Sequence, residues 1–247
     1  ADVVVLVVGG SSARDFKTSY HSTGAAIINS TISDMDCGEG FDKASLTLSG
    51  RPEELISEMK KTGKPLIIVF IEGRPLLKNA AIDADALLTA FYPGAQGGNA
   101  IADVIFGLYN PAGRLPISQP RSTGQTPVFY SQQRTSDYVD CPSSPLFPFG
   151  FGLSFSSFKY NNLTINNING DISVSFEVTN TGDYDGDEEV QDYVRDEYAS
   201  TTPAEKLLKG FKRINIKKDE TKTITIPFDH NAFSIIDEDL EPKVEHG

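Results

Sequence analysis

Hydrophobic positions follow one texture in the first half of this 247-residue chain and another after it. Val3 to Val8 is an unbroken, β-branched run that stops at Gly9-Gly10. Such a run predicts a strand of a parallel sheet, covered on both faces. Pro52 to Thr62 predicts a helix: Pro52 suits the first helical position, Glu53 and Glu54 the positive end, and Lys60 and Lys61 the other end before Gly63. Leu55 and Met59, four apart, mark its inward face. Pro65 to Ile71 is a second strand, completing a β-α-β unit, and the short run Ala86 to Phe91 fits a strand or a helix, its length favouring a strand. Gly97-Gly-Asn99 opens a second helix with Ile101, Val104, Ile105 and Leu108 on one face, closed by Asn110-Pro-Ala-Gly113.

Beyond Thr123 the chain turns to Pro, Gly, Ser and aromatic residues, ending in Phe147-Pro-Phe-Gly-Phe-Gly-Leu-Ser154. This composition marks a connecting segment that packs its aromatics down. The period then becomes two. Ile172, Val174, Phe176 and Val178 alternate with polar residues, as do Ile224, Ile226 and Phe228. Turn chemistry at Asn180-Thr-Gly182, Asp185-Gly186 and Lys218-Asp219 separates about six short strands, the pattern of an antiparallel sandwich of immunoglobulin or fibronectin type III style. The expected fold class is α/β plus all-β: β-α-β units on a largely parallel sheet over 1–122, a connecting segment over 123–157 and a β-sandwich over 158–247 with about six strands where seven are usual. An edge left open in this way is expected to pair with a second copy or with a completing segment.

Charge narrows the functional classes. Against 22 Lys and Arg stand 34 Asp and Glu, a formal charge of -12, which repels a phosphate backbone and argues against a nucleic-acid partner. The apolar runs are strand-length, so no helix spans a membrane. Two cysteines, Cys37 and Cys141, cannot form a disulfide scaffold; they are read as separate thiols, with a bridge between them as the alternative. Three scattered histidines give no metal set, and neither a metal nor a cofactor is expected. A strand beginning at residue 2 without a leader is read as the mark of a piece of something longer.

Several local patterns resolve to structure. Gly9-Gly10-Ser11-Ser12 has neither the G-x-G-x-x-G nor the G-x-S-x-G spacing and reads as a strand-to-loop turn. Asp183, Asp185 and Asp187 resemble a calcium loop, but Glu188 occupies the required glycine position, so a solvated turn is the reading. The glycines at 97 and 98 are assigned to close packing of the helix on the sheet rather than to anion binding.

The long stretch from Gly9 to Gly50 carries the most distinctive segment. Four acids fall between Asp34 and Lys43, and Glu39 stands between Gly38 and Gly40. Glycine neighbours let the backbone approach a ligand and leave the carboxylate unshielded. The ordinary reading of such an acidic stretch is a solvated surface; the alternative is that a carboxylic acid presented this way donates a proton in glycosidic cleavage.

Gly38-Glu-Gly-Phe-Asp-Lys43, Lys64-Pro-Leu-Ile-Ile-Val, Gly73-Arg-Pro75, Phe91-Tyr-Pro-Gly94, Gly97-Gly-Asn-Ala-Ile-Ala-Asp-Val104, Asn110-Pro-Ala-Gly-Arg-Leu-Pro116 and Phe147-Pro-Phe-Gly-Phe-Gly-Leu-Ser154 follow one another in the order found in glycoside hydrolase family 3. Asn180-Thr-Gly182, Asp185-Gly-Asp-Glu188 and Leu208-Lys-Gly-Phe-Lys-Arg213 are similar to that family's fibronectin-like domain. The resemblance covers essentially the whole chain and is nearest to bacterial β-glucosidases. It implies the C-terminal portion of a retaining β-glucosidase that removes terminal β-D-glucosyl or β-D-xylosyl residues. In that family a (β/α)8 barrel carries the aspartate nucleophile and most sugar contacts, and the α/β sandwich lends the acid/base, which carries over onto Glu39. No residue here carries over as nucleophile, no substrate-binding residue is assigned, and the chain alone is expected to be inactive. Cys37 and Lys43 depart from the commoner Ser and Arg. The implied partners are a β-glucoside or short β-linked oligosaccharide and the barrel segment of the same enzyme, and the implied location is periplasmic or secreted. A non-catalytic scaffold or carbohydrate-binding module is the alternative.

Overall fold

A computed structural model of the chain describes residues 1–12, 19–25, 27, 35–38, 41–133, 136–168 and 171–245, the side chain of His230 excepted. Two compact units divide it. One comprises Ala1–Ala102, Gln119–Val128 and Asp140–Phe147; the other comprises Asp103–Ser118, Phe129–Val139 and Pro148–Gly247.

The first unit is built on the β-rich runs of the N-terminal half. Strands β1 (Val4–Gly9), β2 (Leu66–Ile71) and β3 (Ala86–Thr89) form a parallel sheet with β2 in the middle. Val4 pairs with Leu66 and Ile67 with Ala86. Asp85 pins the start of this register: its carboxylate accepts from the Leu66 amide (2.8 Å) and its own amide donates to the Leu66 carbonyl (3.0 Å). Helix α1 (Pro52–Lys60) has Pro52 in its first turn, Glu53 and Glu54 beside the positive end and Lys60 at the other, as its sequence predicts.

The inward face of α1 differs from the expectation. Ile56 is fully buried, with Met59 packed partly beside it, whereas Leu55 is 44% exposed. The i, i+3 pair rather than i, i+4 meets the sheet, against Val8, Leu66, Ile68 and Phe70. Each such large side chain removed from water stabilises the unit by roughly 1.5–3 kcal/mol. Only one face of β1 is covered among the described residues: Val4 and Leu6 pack on this core with Val8, while Val3, Val5 and Val7 are about half exposed. Among the described residues it is an edge strand, with β2 on one side only.

Helix α2 (Gly97–Ile105) begins where Gly97 lies against Pro93, not against the sheet. It stops earlier than its pattern predicts. Gly107 adopts φ +73°, its amide donates to the Val104 carbonyl (3.1 Å), and the Leu108 amide reaches back to Asp103 (2.8 Å). This is a Schellman closure, which leaves Leu108 79% exposed instead of on a buried helix face.

In the second unit the period-two segments are strands β4 (Phe158–Ile168), β5 (Asp171–Asn180), β6 (Gly186–Val194), β7 (Leu207–Ile216) and β8 (Thr221–Phe228). They form two antiparallel sheets, β4-β5-β8 and β6-β7. Phe176 and Val178 of β5, Ile224 and Ile226 of β8, Val190 of β6, and Ile214 and Ile216 of β7 share one core, so the sheets face each other as a sandwich. Two short strands, β9 (Ile235–Ile236) and β10 (Pro242–Lys243), pair near the end. Asn180 locks a corner of the sandwich: fully buried, it donates to the carbonyls of Tyr184 (2.8 Å) and Ile216 (3.0 Å) and accepts from the Gly182 amide (3.0 Å).

The aromatics of the segment from Thr123 to Ser157 pack only in part: Phe129, Tyr138 and Phe155 are about half exposed. Tyr130 stacks on Phe149 with centroids 4.3 Å apart and meets Tyr193 edge-on. The three turn acids are all engaged: Asp183 by Lys218 (2.8 Å), Asp185 by the Lys218 amide (2.8 Å), and Asp187 by Arg213 and Asn215. No described helix is long and apolar enough to cross a membrane.

Candidate active site

Parallel strands aim their carboxyl ends one way, and loops leaving that rim are where open α/β sheets place ligands. Here the rim is formed by Gly10-Ser11 after β1, Glu72-Gly73-Arg74-Pro75 after β2, and Ala90-Phe91-Tyr92 after β3. The acidic loop singled out in the sequence comes to this rim at both of its described flanks. Glu39 itself, with Gly40, lies outside the described residues.

On the N-terminal flank, the Asp36 amide donates to the Ser11 carbonyl (3.0 Å) and the Ser11 amide donates to Asp36 Oδ1 (2.9 Å). Gly10 makes room for this carboxylate; a Cβ there would stand 2.2 Å from Oδ1. Cys37 is buried, and its Sγ lies 2.6 Å from Tyr92 Oη. A Cβ on Gly73 would stand 2.6 Å from the Tyr92 ring and 2.8 Å from Cys37 Sγ, so only glycine lets the two meet over the β2 turn. Burial, and then the bond to Cys37, push the Tyr92 phenol up to about 12, which keeps it neutral over the whole working range.

On the C-terminal flank, the Phe41 amide donates to the Gly38 carbonyl (3.2 Å), and Arg74 Nη2 donates to the Phe41 carbonyl (2.7 Å). Lys43 turns away, donating to the Thr47 carbonyl (2.7 Å) and Ser49 Oγ (2.8 Å). Asp36 Oδ2 and Arg74 Nε are buried with no hydrogen-bond partner among the described residues.

Beneath the rim sits a pair that sequence reading missed. Lys78 Nζ donates to Glu72 Oε1 (2.7 Å), Gln119 Oε1 (3.1 Å) and the Leu76 carbonyl (3.2 Å), and stands 4.5 Å over the Phe70 ring. Glu72 Oε2 accepts from the Leu76 amide (3.2 Å). Both side chains are essentially inaccessible. Burial pushes the Glu72 carboxyl up and the Lys78 ammonium down, each opposed by the other's charge. The pair fixes the turn that carries Gly73 and Arg74. Its signal was a glutamate abutting the apolar run Leu66 to Ile71, with a lysine six residues on.

Cys37 and Cys141 are both free thiols. Among the described residues no group of His, Cys, Asp and Glu is gathered as a metal site. What the rim offers is a carboxylate-bearing loop tied down on either side of residues 39 and 40.

Residues 1–155 match the glycosyl hydrolase family 3 C-terminal domain, and residues 188–247 match the fibronectin type III-like domain. A β-xylosidase of Formosa agariphila is 44% identical over 258 aligned residues, covering 100% of this chain and 33% of that protein. A periplasmic β-glucosidase of Salmonella typhimurium is 38% identical, covering 100% of this chain and 32% of that protein. The crystal structure of a Listeria innocua β-glucosidase in complex with glucose superposes with a TM-score of 0.85 at 30% identity, covering 100% of this chain and 34% of that one. The chain thus spans about a third of the length of the curated relatives it matches.

Proposed function

Because the chain belongs to glycoside hydrolase family 3, we propose that it is the C-terminal portion of a retaining β-glucosidase, with Glu39 as general acid/base. The substrates are terminal β-D-glucosyl or β-D-xylosyl residues, both named among the relatives. The nucleophile and most sugar contacts belong to a (β/α)8 barrel in the remainder of the enzyme. The observation that carries this reading is the attachment of the Glu39 loop, on both flanks, to the carboxyl-end rim of the sheet. The Salmonella relative supports a periplasmic or secreted location.

The chemistry follows from two carboxyl groups about 5–5.5 Å apart across the scissile bond. The barrel nucleophile attacks the anomeric carbon while protonated Glu39 gives its proton to the departing oxygen. A covalent glycosyl-enzyme results, and Glu39, now ionised, takes a proton from the water that hydrolyses it. On this reading the 247-residue chain, lacking the nucleophile, turns over no aryl β-glucoside by itself.

The test is Glu39→Ala in the full-length enzyme. Substrates with poor leaving groups should lose about 10²–10⁴-fold in kcat/KM. Activated aryl glucosides should keep their first step, stall at the glycosyl-enzyme, and be rescued by azide as the β-glycosyl azide. Wild-type rates on both substrate types would make Glu39 ordinary loop surface.

A further inference from the structure

Resting on the assignment of Glu39, we infer that Tyr92 and Arg74 are positioning residues that clamp its loop from opposite flanks. The loop needs such a clamp. Gly38 adopts φ +121°, a conformation that other residues rarely take, and Gly40 is the second glycine beside the acid. Glycine gives up more backbone freedom on ordering than any other residue. Ordering such a loop costs backbone entropy, which local contacts must offset. A proton donor displaced by about 1 Å can lose on the order of 10²-fold in rate.

The two contacts are placed to resist that displacement. Tyr92 leaves the end of β3 and holds Cys37, two residues before Glu39, through its hydroxyl. Arg74 leaves the end of β2 and holds the carbonyl of Phe41, two residues after it, with a charge-assisted bond. The turn carrying Arg74 is braced by the buried Glu72–Lys78 pair. Because the phenol remains neutral, its grip does not change across the pH range in which a carboxylic acid cycles between donor and base. Neither side chain is assigned a contact with substrate or with the reacting atoms; they act through the backbone that presents the carboxyl group.

The experiment uses the full-length enzyme with Tyr92→Phe, Arg74→Met and Arg74→Lys, beside Glu39→Ala as reference. For each, kcat/KM is measured on an alkyl β-glucoside, which needs the acid, and on a dinitrophenyl β-glucoside, which does not. Tyr92→Phe and Arg74→Met should lower kcat/KM on the alkyl glucoside by about 10–100-fold and leave the dinitrophenyl value within about threefold. Azide should raise turnover of the dinitrophenyl substrate in both, and Arg74→Lys should recover much of the alkyl loss. A general loss of folded enzyme would instead depress both substrates together, and that outcome overturns the clamp, as does no loss on either. Hydrogen exchange at the Asp36 and Phe41 amides adds a test that needs no variant to be active. Protection of both in the wild-type enzyme, reduced in Tyr92→Phe and Arg74→Met while β2 amides are unchanged, supports the clamp; wild-type exchange at open-loop rates overturns it. If Glu39→Ala shows no leaving-group dependence, the acid/base assignment falls and the clamp with it. If Glu39→Ala shows it and the clamp variants do not, only the clamp fails.

Discussion

Each unit buries charge, but to different ends. In the first, Glu72 and Lys78 are wholly inaccessible under a rim of turns, and nearby polar atoms go unmatched: Asp36 Oδ2, Arg74 Nε and Gln119 Nε2 have no partner among the described residues. In the second, Arg114 Nη2 donates to Glu188 Oε2 (2.7 Å), Tyr160 Oη donates to Oε1 (2.7 Å), and Arg114 Nη1 donates to the Ala112 carbonyl (3.1 Å). Both oxygens of that carboxylate are satisfied, and burial with the bond to Glu188 pushes the Tyr160 phenol well up. Three of the four orphan atoms among the described residues lie in the first unit; Asp192 Oδ2 is the exception. Unsatisfied buried groups are costly and tend to persist where a site needs them. The sandwich therefore reads as a completed structural joint and the rim as a region whose polar groups remain available.

The sharpest way to break this comparison is Lys78→Met. It leaves Glu72 buried without its counter-charge and should cost about 3–5 kcal/mol, read by denaturant unfolding of the first unit. The double change Glu72→Leu with Lys78→Met should recover most of that loss, since a buried pair is often matched by well-packed apolar side chains. A single-variant cost below about 1 kcal/mol would mean that water reaches the pair and that the rim has no rigid base. In the second unit Glu188→Gln should cost less, about 1.5–3 kcal/mol, because Arg114 and Glu188 retain 14% and 10% side-chain exposure.

The smallest effect belongs to the turn acids. Hydrogen bonding from Asn215, and then Arg213, hold the Asp187 carboxyl below the usual carboxylate range. The native state thus favours its ionised form, so its contribution is present at neutral pH and lost as pH falls through the depressed value. Asp187→Asn should cost less than about 1 kcal/mol at neutral pH, because the pair is largely solvated, and the difference from wild type should shrink toward acid. Thermal midpoints across pH would show it; a gap that widened on acidification would reverse the sign.

Much of this arrangement is written in the local pattern. The runs Val3 to Val8 and Pro65 to Ile71 had to be strands because β-branched residues fit a pleated, buried surface, and the period of two around Phe176 and Ile224 had to give a half-buried sandwich strand. The proposal of Glu39 as the acid also rests on local sequence, its two glycine neighbours, and the residue itself lies outside the described residues. Local pattern could not choose Ile56 over Leu55 as the inward residue of α1, because that depends on how the helix is rotated against the sheet. Nor could it stop α2 at Ile105, where a backbone hydrogen-bond closure outweighed an apolar stripe that continued to Leu108. The contacts that define the rim and the joint lie far apart in the chain: 55 residues separate Cys37 from Tyr92, and 74 separate Arg114 from Glu188. Sequence alone determined which segments become strands and helices and that an acid stands between two glycines in the loop, since those follow from neighbours along the chain. Only the tertiary structure decided which distant side chains grip that loop and which charges are buried together, because burial and pairing energies exist only once the sheet has brought those residues into contact.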